Sequence, residues 1–232
     1  GLFTLDRDFG IFGYYTLRTK KSSIFLLKGA ISTGDGRNAS AINNGLSYTG
    51  RVEFLPFGAF KNSGDYSEGD LEFETKPKLS VGITLSENQK AFRTGGQLGP
   101  ELYEARTLKS FIADAMLKYQ GWALMSEYMS RSTVDPVTRN DLGDVRFAVV
   151  GSGVNTHLSR MISSKSELAL RYAFVVPDEA IESFQDRVDE TILGYTRYFN
   201  GHRIKVQANV GYRWLEGLSQ IENASNSWTG LF

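Results

Sequence analysis

Apolar and polar residues alternate with a period of two along most of this chain. The clearest stretch is HRIKVQANVGYRWLE, residues 202–216. Its even positions from 204 to 214 are apolar or aromatic, and its odd positions are mostly polar and include Arg203, Lys205 and Arg213. A period of two indicates an extended strand with two unlike faces. The same alternation in residues 79–86 and 168–174 predicts a protein built of antiparallel β-strands.

Eleven segments carry the strand pattern, and no segment shows convincing helical periodicity. Most are longer than the strands of globular proteins, which average about 5–6 residues. A tilted strand that crosses a bilayer needs about 9–11 residues, so the lengths favour strands that span a membrane. The segments are residues 8–18, 23–33, 46–57, 77–88, 107–120, 121–131, 146–161, 167–176, 190–200, 203–214 and 227–232.

The connections between these segments alternate in length. Short turns lie at residues 120–121, 163–166 and 200–202, and long polar loops lie at residues 34–45, 89–106, 132–145, 177–189 and 215–226. Short turns on one side and long loops on the other are typical of an outer-membrane β-barrel. Segment 58–76 is long where a short turn is due. We expect it to lie on the short-turn side as a solvated arm, because it carries the acids Asp65, Glu68, Asp70, Glu72 and Glu74.

The same alternation is compatible with a soluble β-sandwich, in which the apolar faces form a core. Strand length, loop alternation and aromatic residues near strand ends favour a membrane barrel instead. These aromatic residues are Tyr119, Trp122, Tyr128, Tyr198, Tyr212 and Trp214. The apolar face of a membrane barrel meets lipid. The residues predicted to face lipid include Val81, Ile83, Leu168, Leu170, Ile204, Val206 and Val210.

The formal net charge is zero, with 26 basic and 26 acidic residues, so the chain has no overall attraction to nucleic acid. Sorting the charges by strand face changes this picture, because eleven cations and only five anions fall on the polar face. Basic side chains around a pore select anions by Coulombic attraction. The alternative is that these charges merely pair and hydrate a polar interior. The candidate pore-lining residues are Lys28, Arg51, Lys118, Arg131, Arg171, Arg197, Arg203, Lys205 and Arg213.

One pair of acids on the polar face is predicted to require a nearby cation. The turn at residues 120–121 places Asp114 opposite Glu127, and like charges directly opposite each other repel. We expect Lys118 or Arg131 to lie between them.

Five stretches follow one another along the chain: LDRDFGIFG (5–13), LKGAISTGDGRNA (27–39), YTGRVEFLPFG (48–58), SELALRYAFV (166–175) and LGYTRYFNGHRIKVQANVGY (193–212). Together they resemble the phosphate-selective porin O and P family. The resemblance implies a sixteen-stranded barrel in the bacterial outer membrane that passes phosphate and related anions. Residues 1–232 are then expected to be one incomplete barrel domain of ten or eleven strands, lacking its first strands and the end of its last.

No enzymatic chemistry is predicted. The chain has no Cys, and His157 and His202 have no acidic partner at metal-ligand spacing, so neither a metal nor another cofactor is expected. GSGVNTH (151–157) resembles a hydrolase motif, but Ser152 and His157 have opposite parity on one strand and cannot meet. TGDGRN (33–38) is glycine-rich, yet no helix follows it to bind a phosphate.

Two functions therefore remain open. The first is an outer-membrane porin that lets anions diffuse through a basic lumen. The second is a barrel subunit of a larger outer-membrane complex, with a docking role for segment 58–76 and no conducting pore. The expected partners are membrane lipid, inorganic anions, and either further copies of the chain or other outer-membrane proteins.

Overall fold

The computed structural model describes residues 7–20, 22–36, 45–201, 203–216 and 226–231. Within them the chain forms thirteen β-strands and two short 3-10 turns, Lys61–Tyr66 and Glu179–Ile181. The strands are β1 (Gly10–Arg18), β2 (Ile24–Ser32), β3 (Ser47–Leu55), β4 (Lys78–Arg93), β5 (Glu101–Tyr119), β6 (Trp122–Ser132), β7 (Val137–Arg139), β8 (Val145–Phe147), β9 (Gly151–Ser163), β10 (Ser166–Pro177), β11 (Arg187–Asn200), β12 (Ile204–Glu216) and β13 (Ser227–Leu231).

Eleven of the strands form one antiparallel sheet, which confirms the all-β prediction. Their order follows the chain from β1 to β6 and then from β9 to β13. The other two strands, β7 and β8, form a separate hairpin in the loop between β6 and β9. The edge strands are β1 and β13, and no pairing joins them in the part of the chain that the structure describes. No described helix is long and apolar enough to cross a membrane.

Two predicted boundaries differ from the structure. β4 has 16 residues and β5 has 19, because the predicted loop 89–106 continues both strands as a long hairpin that pairs Arg93 with Glu101. The predicted strand 146–161 is broken into β8 and β9. Between these strands, Ala148 and Val150 are buried in an apolar cluster with Ile181. The chain packs into this cluster instead of continuing the hydrogen-bonded pairing of the strand.

The sheet has two unlike faces. The face that we call outer carries all seven residues predicted to face lipid, and each of them is between 39% and 61% exposed. A β-sandwich would bury these side chains under a second sheet. No second sheet covers them within the described residues, so the sandwich interpretation is wrong for these strands.

Aromatic residues cluster on the outer face near the long-loop end. Tyr212 on β12 packs against Trp228 on β13 and against Trp214, with ring centroids 4.9 Å and 5.7 Å apart. Trp214 in turn stacks on Tyr172 of β10 at 6.5 Å. Aromatic bands of this kind are typical of the level where a membrane meets water.

A second aromatic group lies on the outer face near the short-turn end. Tyr119 pairs directly with Trp122 across the β5–β6 turn, and the guanidinium of Arg160 lies 4.8 Å from the Trp122 ring. Tyr198, which was predicted to belong to such a band, lies on the opposite face. It is 4% exposed, and its hydroxyl donates to Glu167.

Segment 58–76, which joins β3 to β4, lies against the face that we call inner. It contacts distant strands, because Lys28 of β2 lies over the Tyr66 ring and Glu167 of β10 occupies the space where a side chain at Gly69 would be. In a flat sheet, these strands would be about 28 Å apart, at about 4.7 Å per strand. Contact of both strands with one short segment indicates that the sheet curls around it.

Candidate functional site

Lys118 on β5 fastens segment 58–76 to the inner face. Its ammonium donates to the backbone carbonyls of Gly64 (2.6 Å), Ser67 (2.7 Å) and Gly69 (2.7 Å). These acceptors satisfy the three donors of an ammonium group. Lys118 is only 1% exposed. It is therefore an anchor for the segment. The prediction that Lys118 lines a pore is wrong, because its ammonium is buried.

Two acids of segment 58–76 are buried and cap backbone N–H groups. Asp70 accepts from the N–H of Gly121 (2.7 Å) and of Glu74 (3.1 Å), and Glu74 accepts from the N–H of Lys61 (2.6 Å). The Gly121 contact confirms that the segment lies on the short-turn side. The prediction of a solvated arm is wrong, because buried N–H groups need acceptors and these carboxylates supply them.

An apolar contact also holds the segment in place. Phe60 is 4% exposed and packs with Ile24 of β2 and Leu55 of β3, with Met116 of β5 against the same cluster. Ile24 and Met116 project from the inner face, where the alternation predicts polar side chains. These apolar side chains on the inner face form the surface on which the segment packs.

Arg51 on β3 is the centre of an ion-pair network on the inner face. Its two terminal nitrogens bind the two oxygens of Asp114 at 2.6 Å and 2.9 Å, and its Nε binds Glu53 at 2.6 Å. Lys28 binds the same Glu53 oxygen at 2.8 Å. Arg51 therefore neutralises Asp114, which was expected to need Lys118 or Arg131. Glu127 instead accepts a hydrogen bond from Asn155.

The bridge between Arg51 and Asp114 passes over β4, and Gly82 makes this passage possible. Gly82 pairs with Glu53 on one side and with Asp114 on the other. A Cβ atom at this position would lie 2.7 Å from the Arg51 guanidinium carbon and 2.8 Å from an Asp114 oxygen. The absence of a side chain therefore lets two charges meet across a strand, which no pattern within one strand predicts.

Strands β10 to β12 carry the less neutralised part of the basic inner face. Lys205 is exposed and forms no ion pair among the described residues. Arg171 donates from Nε to Asn155 (2.8 Å) and lies 3.9 Å from Glu190. Arg213 binds Glu190 at 2.8 Å. Glu190 begins the predicted strand 190–200, and in the structure it lies within β11 and faces the inner side.

Three other predicted pore-lining residues are not exposed on the inner face of a strand. Arg197 shares the outer face with Val206, its partner on β12, and donates to Ser166, so its predicted face is wrong. The reason is the parity of β11, in which the even residues Thr196 and Tyr198 face inward. Arg203 lies in the turn just before β12. Arg131 is 7% exposed and donates to the carbonyl of Gly95 at 3.2 Å.

The Gly95 contact belongs to a loop that folds inward at the long-loop end. In the same loop, Gln97 donates to Asp8 at 3.1 Å, and Asp8 also accepts from Thr33 Oγ1 and from the N–H of Gly34. Partial burial tends to raise the pKa of Asp8, but the hydrogen bonds from Ser32, Thr33, Gly34 and Phe9 outweigh it and lower the pKa. Segment 58–76 therefore covers the inner face at the short-turn end, and the β4–β5 loop covers it at the long-loop end.

Between segment 58–76 and strands β9–β12 lies a cavity of about 660 Å³. Its wall is polar, with Asn155, Arg171, Lys205, Gln207 and Asn209 on the sheet side. Pockets that hold small ligands have volumes of about 300–1,000 Å³. The cavity is therefore large enough for a small hydrophilic solute beside the segment.

The structure brings no catalytic group together at the hydrolase-like stretch. Ser152 pairs with Ser130 on the outer face, and His157 pairs with Met125 and Arg171 on the inner face, so the two side chains lie on opposite faces as predicted. His202 lies outside the described residues. Among those described, no three His, Asp or Glu side chains are grouped as metal ligands.

Comparison with protein-family models, with curated proteins and with solved structures finds no match for this chain. The fold and the inner face define its class only coarsely. It is an antiparallel β-sheet protein with an apolar, aromatic-banded outer face and a charged inner face around a folded-in segment.

Proposed function

We propose that this chain forms the wall of an outer-membrane barrel pore and that anions diffuse along its basic inner face. The proposal includes closure of the sheet into a barrel by further strands, a location in the bacterial outer membrane, and inorganic anions such as phosphate as permeant solutes. The resemblance of five sequence stretches to the phosphate-selective porin O and P family supports these points.

The observation that carries the proposal is the division of charge between the two faces. Apolar side chains that would cost free energy in water stay exposed on the outer face, at 48–61% for Ile204, Val206 and Val210. The same strand directs Lys205 and Arg213 to the inner face. A cation on the lipid side near the membrane midplane would cost about 2–4 kcal/mol. This arrangement is suited to lipid outside and water with anions inside.

A second function is favoured by segment 58–76. The segment is anchored by Lys118 and Asp70, and it occupies inner space that an open pore would leave to water. A barrel subunit of a larger assembly needs no conduction and tolerates such an obstruction. Its partners would be other outer-membrane proteins or further copies of this chain.

Planar-bilayer recording of the full chain separates the two functions. A porin gives stepwise conductance with an anion-selective reversal potential in a salt gradient, whereas a non-conducting subunit gives none. Replacing Arg203, Lys205 and Arg213 together by Gln should reduce the anion-to-cation permeability ratio by at least about threefold, since three exposed charges at about 0.2–1 kcal/mol each contribute about 0.6–3 kcal/mol. The loss of Arg213 also frees the carboxylate of Glu190.

The matched control is Lys109→Gln, because Lys109 lies on the outer face of β5 and is 69% exposed. Its reversal potential should equal that of the unaltered protein. Conductance whose reversal potential is the same in the triple variant would remove these residues from the conduction path.

A further inference from the structure

The cavity on the inner face carries opposite charges on opposite walls. Glu68 belongs to segment 58–76 and Lys205 to β12, and both line the cavity. Glu68 interacts electrostatically with the Tyr198 hydroxyl, and Tyr198 is the cross-strand neighbour of Lys205. The carboxylate and the ammonium therefore face the same small volume from two sides.

These two charges are not neutralised by the protein. In the part of the chain that the structure describes, neither Glu68 nor Lys205 forms an ion pair or hydrogen bond, and they do not pair with each other. Elsewhere on the inner face, opposite charges do pair, as Arg51 does with Asp114 and Arg213 with Glu190. An unpaired acid and an unpaired base across one cavity are thus a local exception.

The rest of the wall supplies hydrogen bonds. Arg171 lies on the same side as Lys205, and its contact with Glu190 is long, at 3.9 Å. Glu167 is 4% exposed, and its Oε1 has no hydrogen-bond partner in the described structure. Because this oxygen is buried against Gly69, it does not reach the cavity, and the charged groups available to a solute are those of Glu68, Lys205 and Arg171.

We infer that this cavity binds small zwitterionic solutes, with an ammonium group toward Glu68 and a carboxylate toward Lys205 and Arg171. The chemical class is amino acids and short peptides. The inference rests on the proposed function, since the solute reaches the cavity through the pore. An inorganic anion is attracted by Lys205 but repelled by Glu68. A simple cation is attracted by Glu68 but repelled by Lys205. Only a solute with both charges is attracted at both walls.

Uptake into liposomes that contain the full chain tests the inference with three probes of similar size. They are the zwitterion glycylglycine, the anion N-acetylglycine and the cation glycylglycinamide. The unaltered protein should pass glycylglycine about threefold to fivefold faster than either singly charged probe, as one additional exposed ion pair implies. Glu68→Gln should lower glycylglycine uptake to the rate of N-acetylglycine.

Two further variants make the test specific. Lys205→Gln should slow glycylglycine and N-acetylglycine but not glycylglycinamide. Exchanging the charges, with Glu68→Lys and Lys205→Glu in one protein, should restore the preference for glycylglycine, which a merely structural role for either residue does not predict. Lys109→Gln on the outer face should leave all three rates unchanged.

Two results would overturn the inference in distinguishable ways. Uptake of all three probes without preference, or a preference that survives Glu68→Gln, refutes the zwitterion site and leaves the pore standing. An unaltered protein that passes none of the probes refutes the proposed pore, and the inference with it.

Discussion

Replacing Lys118 by Met should release segment 58–76 from the inner face while leaving the sheet intact. Methionine keeps the length and apolar stem of the side chain but removes the ammonium. The carbonyls of Gly64, Ser67 and Gly69 then lose their donor in a buried place. The strand itself is retained by backbone pairing, in which residue 118 faces Lys78 on β4 and Ala123 on β6.

The size of the effect follows from these three bonds. A buried acceptor left without a donor costs about 1–3 kcal/mol. Three such acceptors would give at least about 3 kcal/mol, but water enters as the segment leaves, so we take about 3 kcal/mol as the loss in docking free energy. That loss shifts the docked-to-released equilibrium by about 10²-fold, since every 1.4 kcal/mol is tenfold.

Hydrogen exchange measured by mass spectrometry is the assay. The N–H groups of Lys61 and Glu74 are bonded within the segment, and their exchange should accelerate by about 10²-fold in Lys118→Met. The N–H groups of β5 and β6 should keep their protection. Lys109→Met on the outer face of the same strand is the matched control. Unchanged exchange in the segment would refute the anchoring role, and equal loss of protection throughout the sheet would show that Lys118 supports the fold.

Two other predictions concern single residues whose surroundings the structure defines. Gly82→Ala should lower the free energy of unfolding by about 1–3 kcal/mol, because a Cβ there displaces a hydrogen-bonded charge pair; chemical denaturation measures this. Gly50→Ala, which projects a Cβ into open space, should change it by less than about 0.5 kcal/mol, and equal effects would refute the argument. The pKa of Asp8 is lower in the folded state, so its contribution to stability is present above its unfolded pKa of about 3.9 and is lost as pH falls through the folded value. Asp8→Asn should flatten the fall in melting temperature between pH 5 and pH 3, and an unchanged slope would contradict this.

Sequence alone determined most of the strands and, outside β11, which of their faces is apolar. Alternation is a local property, because successive side chains of an extended chain point to opposite sides whatever the rest of the fold does. That is why residues 204–214 could be assigned to an exposed apolar face and a charged face from the pattern. The short turn at Gln120 and Gly121 could be predicted for the same reason, since it lies between two alternating stretches and its residues both adopt positive φ.

Tertiary structure decided what lies on the inner face and which charges are free. Lys118 and Lys205 are both lysines at polar positions of an alternating strand. Lys118 is nevertheless buried under three carbonyls, and Lys205 is exposed. The difference comes from segment 58–76, in which Asp70 looks solvated in sequence because nothing local shows that it caps the N–H group of Gly121 in a distant turn. Likewise, Arg51 pairs with Asp114, 63 positions away, through the space that Gly82 leaves by having no side chain. Contacts over such distances depend on strand register and on the curl of the sheet, which alternation does not encode.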